Sequence, residues 1–93
     1  MTTLVLEIED SKPVKAVCDA GSLRVTLADG RVLRSPLWWY PSLLNATAEQ
    51  RGEVEFSPLG IHWPAIDEDI SVASILRGTK APGAVDPHRA GEA

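Results

Sequence analysis

Hydrophobic and polar residues alternate along much of the first forty positions, and the alternation sorts into strands. Leu4, Leu6 and Ile8 alternate with Val5, Glu7 and Glu9, a period of two that predicts a strand over 4–8. Asp10-Ser11-Lys12-Pro13 interrupts it. Further on, Ala20-Gly21 read as a two-residue hairpin loop sets Cys18 opposite Leu23, Ala16 opposite Val25 and Val14 opposite Leu27. Lys15, Val17, Asp19, Arg24 and Thr26 then share the other face, giving one apolar and one mostly polar side. Asp29-Gly30 is a stronger turn signal, because a type I′ turn needs positive φ at both central residues. It sets Leu27 opposite Val32. Continued, that register brings Val25 against Arg34, so a slip or bulge is expected near Leu33. The pattern predicts a three-stranded antiparallel meander over 13–36.

Pro36 and Pro41 bracket Leu37-Trp38-Trp39-Tyr40 and close the meander. Pro41 suits the first position of a short helix over 41–45. Thr47-Ala48-Glu49-Gln50 has the spacing of a capping box, with Gly52 as the helix end. So short a helix must be held by tertiary contacts. Val54 and Phe56 alternate with Glu53 and Glu55 as a further short strand, and Ser57-Pro58-Leu59-Gly60 turns the chain into Ile61-His62-Trp63-Pro64. A last helix is predicted from Ile66, Ile70, Ala73 and Leu76 on one face, with Val72 and Ile75 beside it. Asp67 or Asp69 would cap its N-terminus, and Gly78 would end it before Pro82. From Thr79 to Ala93 the chain is rich in Gly, Pro and Ala, which predicts a disordered tail.

The expected fold is therefore α+β. A small antiparallel sheet, the three-stranded meander plus one or two short strands, is packed by short helices including one C-terminal helix. Residues 1–12 form an N-terminal extension with a candidate extra strand, 13–78 a single domain, and 79–93 the tail. Ninety-three residues allow one such domain.

The formal net charge is −4. The segment from Arg77 onward carries +1, which leaves −5 on the residues before it. Direct nucleic-acid binding usually needs a basic stripe, and none is legible in the linear sequence, so it is not expected. One cysteine, Cys18, excludes an internal disulfide and fits a reducing compartment. The N-terminus lacks the basic and apolar regions of a signal peptide, and no apolar run approaches the ~20 residues of a membrane span. A cytoplasmic protein without membrane association is expected.

Candidate chemistry is sparse. Asp67, Glu68 and Asp69 at a helix start would point about 100° apart, which favours capping over metal binding or a general base. His62 alternates with Ile61 and Trp63 and so falls on the opposite face, as a surface or structural histidine. Cys18, on the apolar face, would be an inert thiol with a raised pKa. The expectation is no catalytic residue, no metal and no cofactor. Trp38, Trp39, Tyr40 and Trp63 are the serious binding candidates. In an extended segment Trp38 and Trp39 cannot both point inward, and Trp and Tyr are enriched at binding hot spots. Arg31, with Arg34 and Arg51, could stack on these rings or pair with the acidic run, which adds Arg31, Asp67 and Asp69 to the candidate surface.

Several segments in order resemble a bacterial family known as domain of unknown function 2442. They are Leu27-Ala28-Asp29-Gly30-Arg31, Pro36-Leu37-Trp38-Trp39-Tyr40-Pro41 and Ala46-Thr47-Ala48-Glu49-Gln50-Arg51. Gly60-Ile61-His62-Trp63-Pro64, Asp67-Glu68-Asp69-Ile70-Ser71, Leu76 and Gly78 follow. The resemblance implies a small α+β domain with an antiparallel sheet and short helices. It implies no activity. Some relatives carry a helix-turn-helix segment. Others stand alone beside a second small protein in a layout like a toxin–antitoxin pair, and this chain resembles the stand-alone kind.

The expected function is a non-enzymatic protein–protein interaction or regulatory module, one half of a toxin–antitoxin-like pair. Its expected partner is another small protein or a second copy of this chain, joined through residues 4–8. The alternative is a small-ligand-binding domain whose pocket is walled by Trp38, Tyr40 and Trp63. A hydrolase using His62 with Asp67 or Asp69 is the weakest reading.

Overall fold

The computed structural model describes residues 11–19 and 21–88. The strand expected over 4–8, Ala20 of the first loop and residues 89–93 lie outside the described residues. The described chain is α+β, with two three-stranded antiparallel sheets and three short helices. The first sheet is the expected meander, in the order β1 (Pro13–Asp19), β2 (Ser22–Leu27), β3 (Val32–Pro36). The second is β4 (Glu55–Ser57), β5 (Gly60–Trp63), β6 (Glu68–Ser71). The helices are α1 (Pro41–Leu44), α2 (Ala48–Gly52) and α3 (Val72–Arg77).

The β1–β2 register follows the alternation, with Cys18 opposite Leu23 and Ala16 opposite Val25. It departs at Val14, where the ladder shifts between Pro13 and Lys15. Pro13, not Val14, faces Leu27 and is buried, while Val14 bulges out and is half-exposed. Pairing resumes beyond the bulge, where the Ala28 N–H donates to the Lys12 carbonyl at 2.9 Å.

The second hairpin corrects the predicted register. Gly30 takes φ 94°, but Asp29 does not enter the left-handed region that a type I′ turn would require. The turn therefore spans Leu27–Gly30, with the Gly30 N–H on the Leu27 carbonyl at 2.9 Å and the Leu27 N–H on the Arg31 carbonyl at 2.8 Å. This three-residue loop with a glycine bulge moves the register by one. Val25 faces Leu33, Arg24 faces Arg34, and Val32 lies on the outer face opposite Thr26. The slip expected near Leu33 occurs in the turn itself.

The C-terminal region differs more. Residues 66–71 are not the start of a helix. Pro64–Ile66 make one 3₁₀ turn, and Asp67 takes φ 51°, ψ 46°, a left-handed conformation that aspartate tolerates better than most residues. That reversal folds β6 back on β5, pairing Trp63 with Glu68 and Ile61 with Ile70. The helix begins only at Val72, and its N-cap is Ser71, whose hydroxyl accepts the Ser74 N–H. Asp67 and Asp69 cap nothing. Val72 and Ile75 are buried while Ala73 and Leu76 face outward, so the predicted helix face was rotated. Gly78 ends the helix as expected, at φ 76°.

One apolar cluster joins the elements. Leu23, Val25 and Leu27 come from the first sheet, and Ile61, Trp63 and Ile70 from the second. Leu37, Tyr40 and Leu43 from the connecting segment, with Val72 and Ile75 of α3, complete it. Among the described residues no helix is long and apolar enough to cross a membrane.

Gly60 of β5 lies against the main chain of β6. A Cβ there would lie 2.8 Å from the Ile70 carbonyl oxygen and 3.2 Å from the Ser71 Cα, both main-chain atoms with no room to yield. Gly60→Ala is expected to lower the urea unfolding free energy by about 1–3 kcal/mol. Gly52→Ala, with open space around it, is the control and should cause no loss.

Candidate functional site

Trp63 ends β5 and is the largest fully buried side chain. Its indole N–H donates to the Arg51 carbonyl at 3.2 Å, which satisfies the ring's one polar group inside the core. The Arg51 side chain turns the other way. Its Nε donates to the Leu43 carbonyl and a terminal nitrogen to the Leu44 carbonyl, each at 2.9 Å, so the guanidinium caps the exposed end of α1. The capping box places Arg51 for this task. Thr47 Oγ accepts from the Gln50 N–H at 3.1 Å, and the Gln50 side chain accepts from the Thr47 N–H at 2.9 Å. Arg51 is thus a structural clamp rather than a stacking partner for the rings.

The Leu37–Trp39 segment is a 3₁₀ turn and not extended, so the alternation expected of Trp38 and Trp39 does not apply. Both are half-buried. Their rings meet edge to face at 6.3 Å, and Trp39 meets Tyr40 likewise at 6.4 Å. Trp39 packs on the core, its carbonyl accepts the Ala81 N–H at 2.9 Å, and the Lys80 ammonium lies 4.8 Å from its ring centre. Tyr40 is 2% exposed and Trp63 1%, so neither ring reaches the surface, and the two do not wall an open pocket with Trp38.

Tyr40 carries an anomaly. Among the described residues its buried hydroxyl has no hydrogen-bond partner. Burial pushes the phenol pKa up; the nearby Ser35 hydroxyl works against that rise, though outside hydrogen-bond geometry, and the Glu68 carboxylate adds to it.

The remaining candidates separate. Arg31 is exposed and holds Asp29 through Nε–Oδ2 at 2.7 Å, with Ser11 as a second partner. The Arg31 backbone N–H above all, and then its side chain, keep the Asp29 carboxyl below the ordinary range. Asp67 is exposed in its turn. Asp69 points to the outer face of the second sheet, where His62 Nδ1 lies 2.9 Å from its Oδ1 and Glu55 faces His62 from the other neighbouring strand. The structure therefore joins His62 with Asp69 but not with Asp67. By register Ser57 shares that face, and its hydroxyl is engaged with the Gly60 backbone. Among the described residues no group of three or more His, Cys, Asp or Glu could hold a metal ion. Cys18 is half-buried, and burial raises its thiol pKa against the opposing charge of Arg51.

Two surface features went unnoticed in the linear sequence. A groove of about 330 Å³ runs past Glu55, Phe56, Leu59, His62 and Asp69, with Phe56 42% and Leu59 64% exposed. A cleft of about 470 Å³ lies between Ser22, Arg34, Trp38 and His88. Charge divides in the same way. Residues 11–36 carry five basic against two acidic side chains, and residues 37–78 two against six. The net charge of the whole chain conceals this polarity.

These features define a small α+β domain of two meanders around one aromatic core. The chain belongs to the family described as "Protein of unknown function (DUF2442)", whose sequence profile matches residues 13–81. Among solved structures it is similar to an uncharacterised protein of Chromobacterium violaceum, with TM-score 0.69 and 26% identity over 96% of this chain and 82% of that one. It is also similar to a protein of unknown function from Rhodospirillum rubrum, with TM-score 0.65 and 26% identity over 78% of this chain and 93% of that one. No curated protein matches the sequence.

Two measurements follow from the aromatic core. Arg51→Met keeps the aliphatic stem but frees the Leu43 and Leu44 carbonyls, and should cost about 1–2 kcal/mol in urea unfolding. Tyr40→Phe removes an unpartnered buried hydroxyl and should be neutral or stabilising by about 1 kcal/mol. Because the folded phenol pKa exceeds the unfolded value of about 10, the contribution of neutral Tyr40 is present below pH 10 and is lost as pH rises through the folded pKa. The wild type should lose stability there, and Tyr40→Phe should lose less.

Proposed function

We propose that this protein is a non-enzymatic interaction module that binds another small protein, as one half of a two-gene regulatory pair of the toxin–antitoxin kind. The observation that carries the reading is the β4–β5 hairpin. Phe56 stays exposed on the short edge strand β4 and Leu59 in the turn that follows it, both lining a groove with Glu55 and Asp69. Exposed large apolar residues rimmed by charge are what an association surface requires, and an edge strand offers unpaired backbone groups for strand addition. The acidic rim suits a partner with basic and apolar side chains. A cytoplasmic setting belongs to this reading.

Self-association through residues 4–8 is the second form of the same reading. The alternating Leu4, Leu6 and Ile8 could add to a sheet edge of a second copy. A small-ligand role has its own support in the cleft beside Trp38, developed below.

The test is affinity capture of tagged protein from its native lysate, with partners identified by mass spectrometry. A stoichiometric small partner is expected for the wild type, with about tenfold less recovered by a folded Phe56→Ser, Leu59→Ser variant. Recovery of no partner, with a monomer by light scattering, would sink the reading. An unchanged oligomeric state and unchanged capture after deletion of residues 1–12 would remove the self-association form.

A further inference from the structure

We propose that the cleft between the first meander and the chain near His88 is a binding site for a phosphate-bearing heteroaromatic ring, the chemistry of a nucleotide. At about 470 Å³ it has the size of a small-ligand site, and it shares no lining residue with the β4–β5 groove. The argument starts with Arg34. Register places its side chain on the outer face directly opposite Arg24, an arrangement of like charges that is unfavourable unless something lies between them. Arg24 is held by Asp19 at 2.6 Å. Arg34 donates its Nε to Ser22 Oγ at 3.1 Å, and no carboxylate among the described residues forms an ion pair with it. Arg34 lines the cleft and is exposed, and its guanidinium is a planar fork of donors that suits phosphate oxygens.

Trp38 supplies the second half. Its half-exposed indole lines the same cleft with Pro36, and the Lys80 ammonium stands 6.0 Å from the ring centre. His88 also lines the cleft, with its backbone N–H on the Asp86 carboxylate at 2.8 Å. The cleft thus joins a flat apolar surface to a guanidinium, with an ammonium close to the indole, on the half of the molecule with excess positive charge. A ring stacked on Trp38 with its phosphate on Arg34 uses both. An aromatic without phosphate, or a phosphate without a ring, uses only one.

The experiment is a titration followed by tryptophan fluorescence and by the Trp38 indole N–H resonance. The probes are AMP, adenosine, inorganic phosphate and a ten-nucleotide single-stranded oligoadenylate. AMP is expected to saturate, and adenosine and phosphate to bind at least about tenfold more weakly each. Arg34→Gln and Trp38→Leu should each weaken AMP binding by about tenfold. Arg34→Gln changes an exposed residue and keeps the test sound if Trp38→Leu perturbs folding. An oligonucleotide that binds more tightly than AMP, with the same dependence on both residues, assigns the ring and phosphate to a single strand. Equal binding per site assigns them to a free nucleotide. No saturation by either probe at millimolar concentration overturns the proposal. So does AMP binding indifferent to Arg34→Gln, or phosphate binding as tight as AMP.

Discussion

The link from Trp63 through Arg51 to the end of α1 ties the second sheet to two short helices by hydrogen bonds, on top of the apolar core they share. Trp63 belongs to the second sheet, Arg51 to a five-residue helix, and Leu43 and Leu44 to a four-residue helix. Helices so short do not persist alone in water. Here a buried indole holds one face of Arg51, and two helix-end carbonyls hold the other. Each bond answers a polar group that burial would otherwise strand. Around that link the two meanders close on a shared core, and the surfaces that remain open are set by what the core leaves outside.

What the sequence made legible was mostly local chemistry. The β1–β2 register near its turn and the Thr47–Gln50 capping box depend on residues within a few positions of one another, and both stand in the structure; the register fails only farther from the turn, where a bulge puts Pro13 rather than Val14 opposite Leu27. The β2–β3 register missed by one, because the choice between a two-residue and a three-residue loop turned on whether Asp29 would take positive φ. The final helix missed for a different reason. Ile66, Ile70 and Ala73 fit a helical spacing, yet Ile70 pairs with Ile61 on a strand, and the left-handed Asp67 makes that pairing possible. Nothing within the segment decides between these outcomes; the partner strand does. Sequence alone leaves Arg51 a candidate for ring stacking, because its carbonyl acceptors lie eight and seven residues back, past a turn. Tyr40 and Trp63 were candidates for a surface because a stiff aromatic segment reads alike whether it pins a core or meets a partner. Burial separates the two cases, and only Trp38 keeps a ring beside an open cleft.

Net charge was the least informative part of the linear reading, since it averages over two unlike halves. The fold gathers Lys15, Arg24 and Arg34 on the outer side of one sheet and Glu55 and Asp69 on the outer side of the other. A molecule with this polarity meets cationic and anionic groups from different directions. The site proposed for a protein and the site proposed for a nucleotide accordingly lie on surfaces of opposite character and share no lining residue.

The arrangement of the sheets also bears on how the chain reaches this state. Among the described residues every strand pairs only with its neighbour in sequence, through a loop of a few residues. Such local pairings close small loops at low entropic cost, which favours rapid folding. Each meander can therefore zip from its own turns. The long-range event is the docking of one meander on the other, when Trp63 leaves water and finds the Arg51 carbonyl. Joining the two halves is the closure of longest sequence separation, so it carries the larger share of the loop-closure entropy.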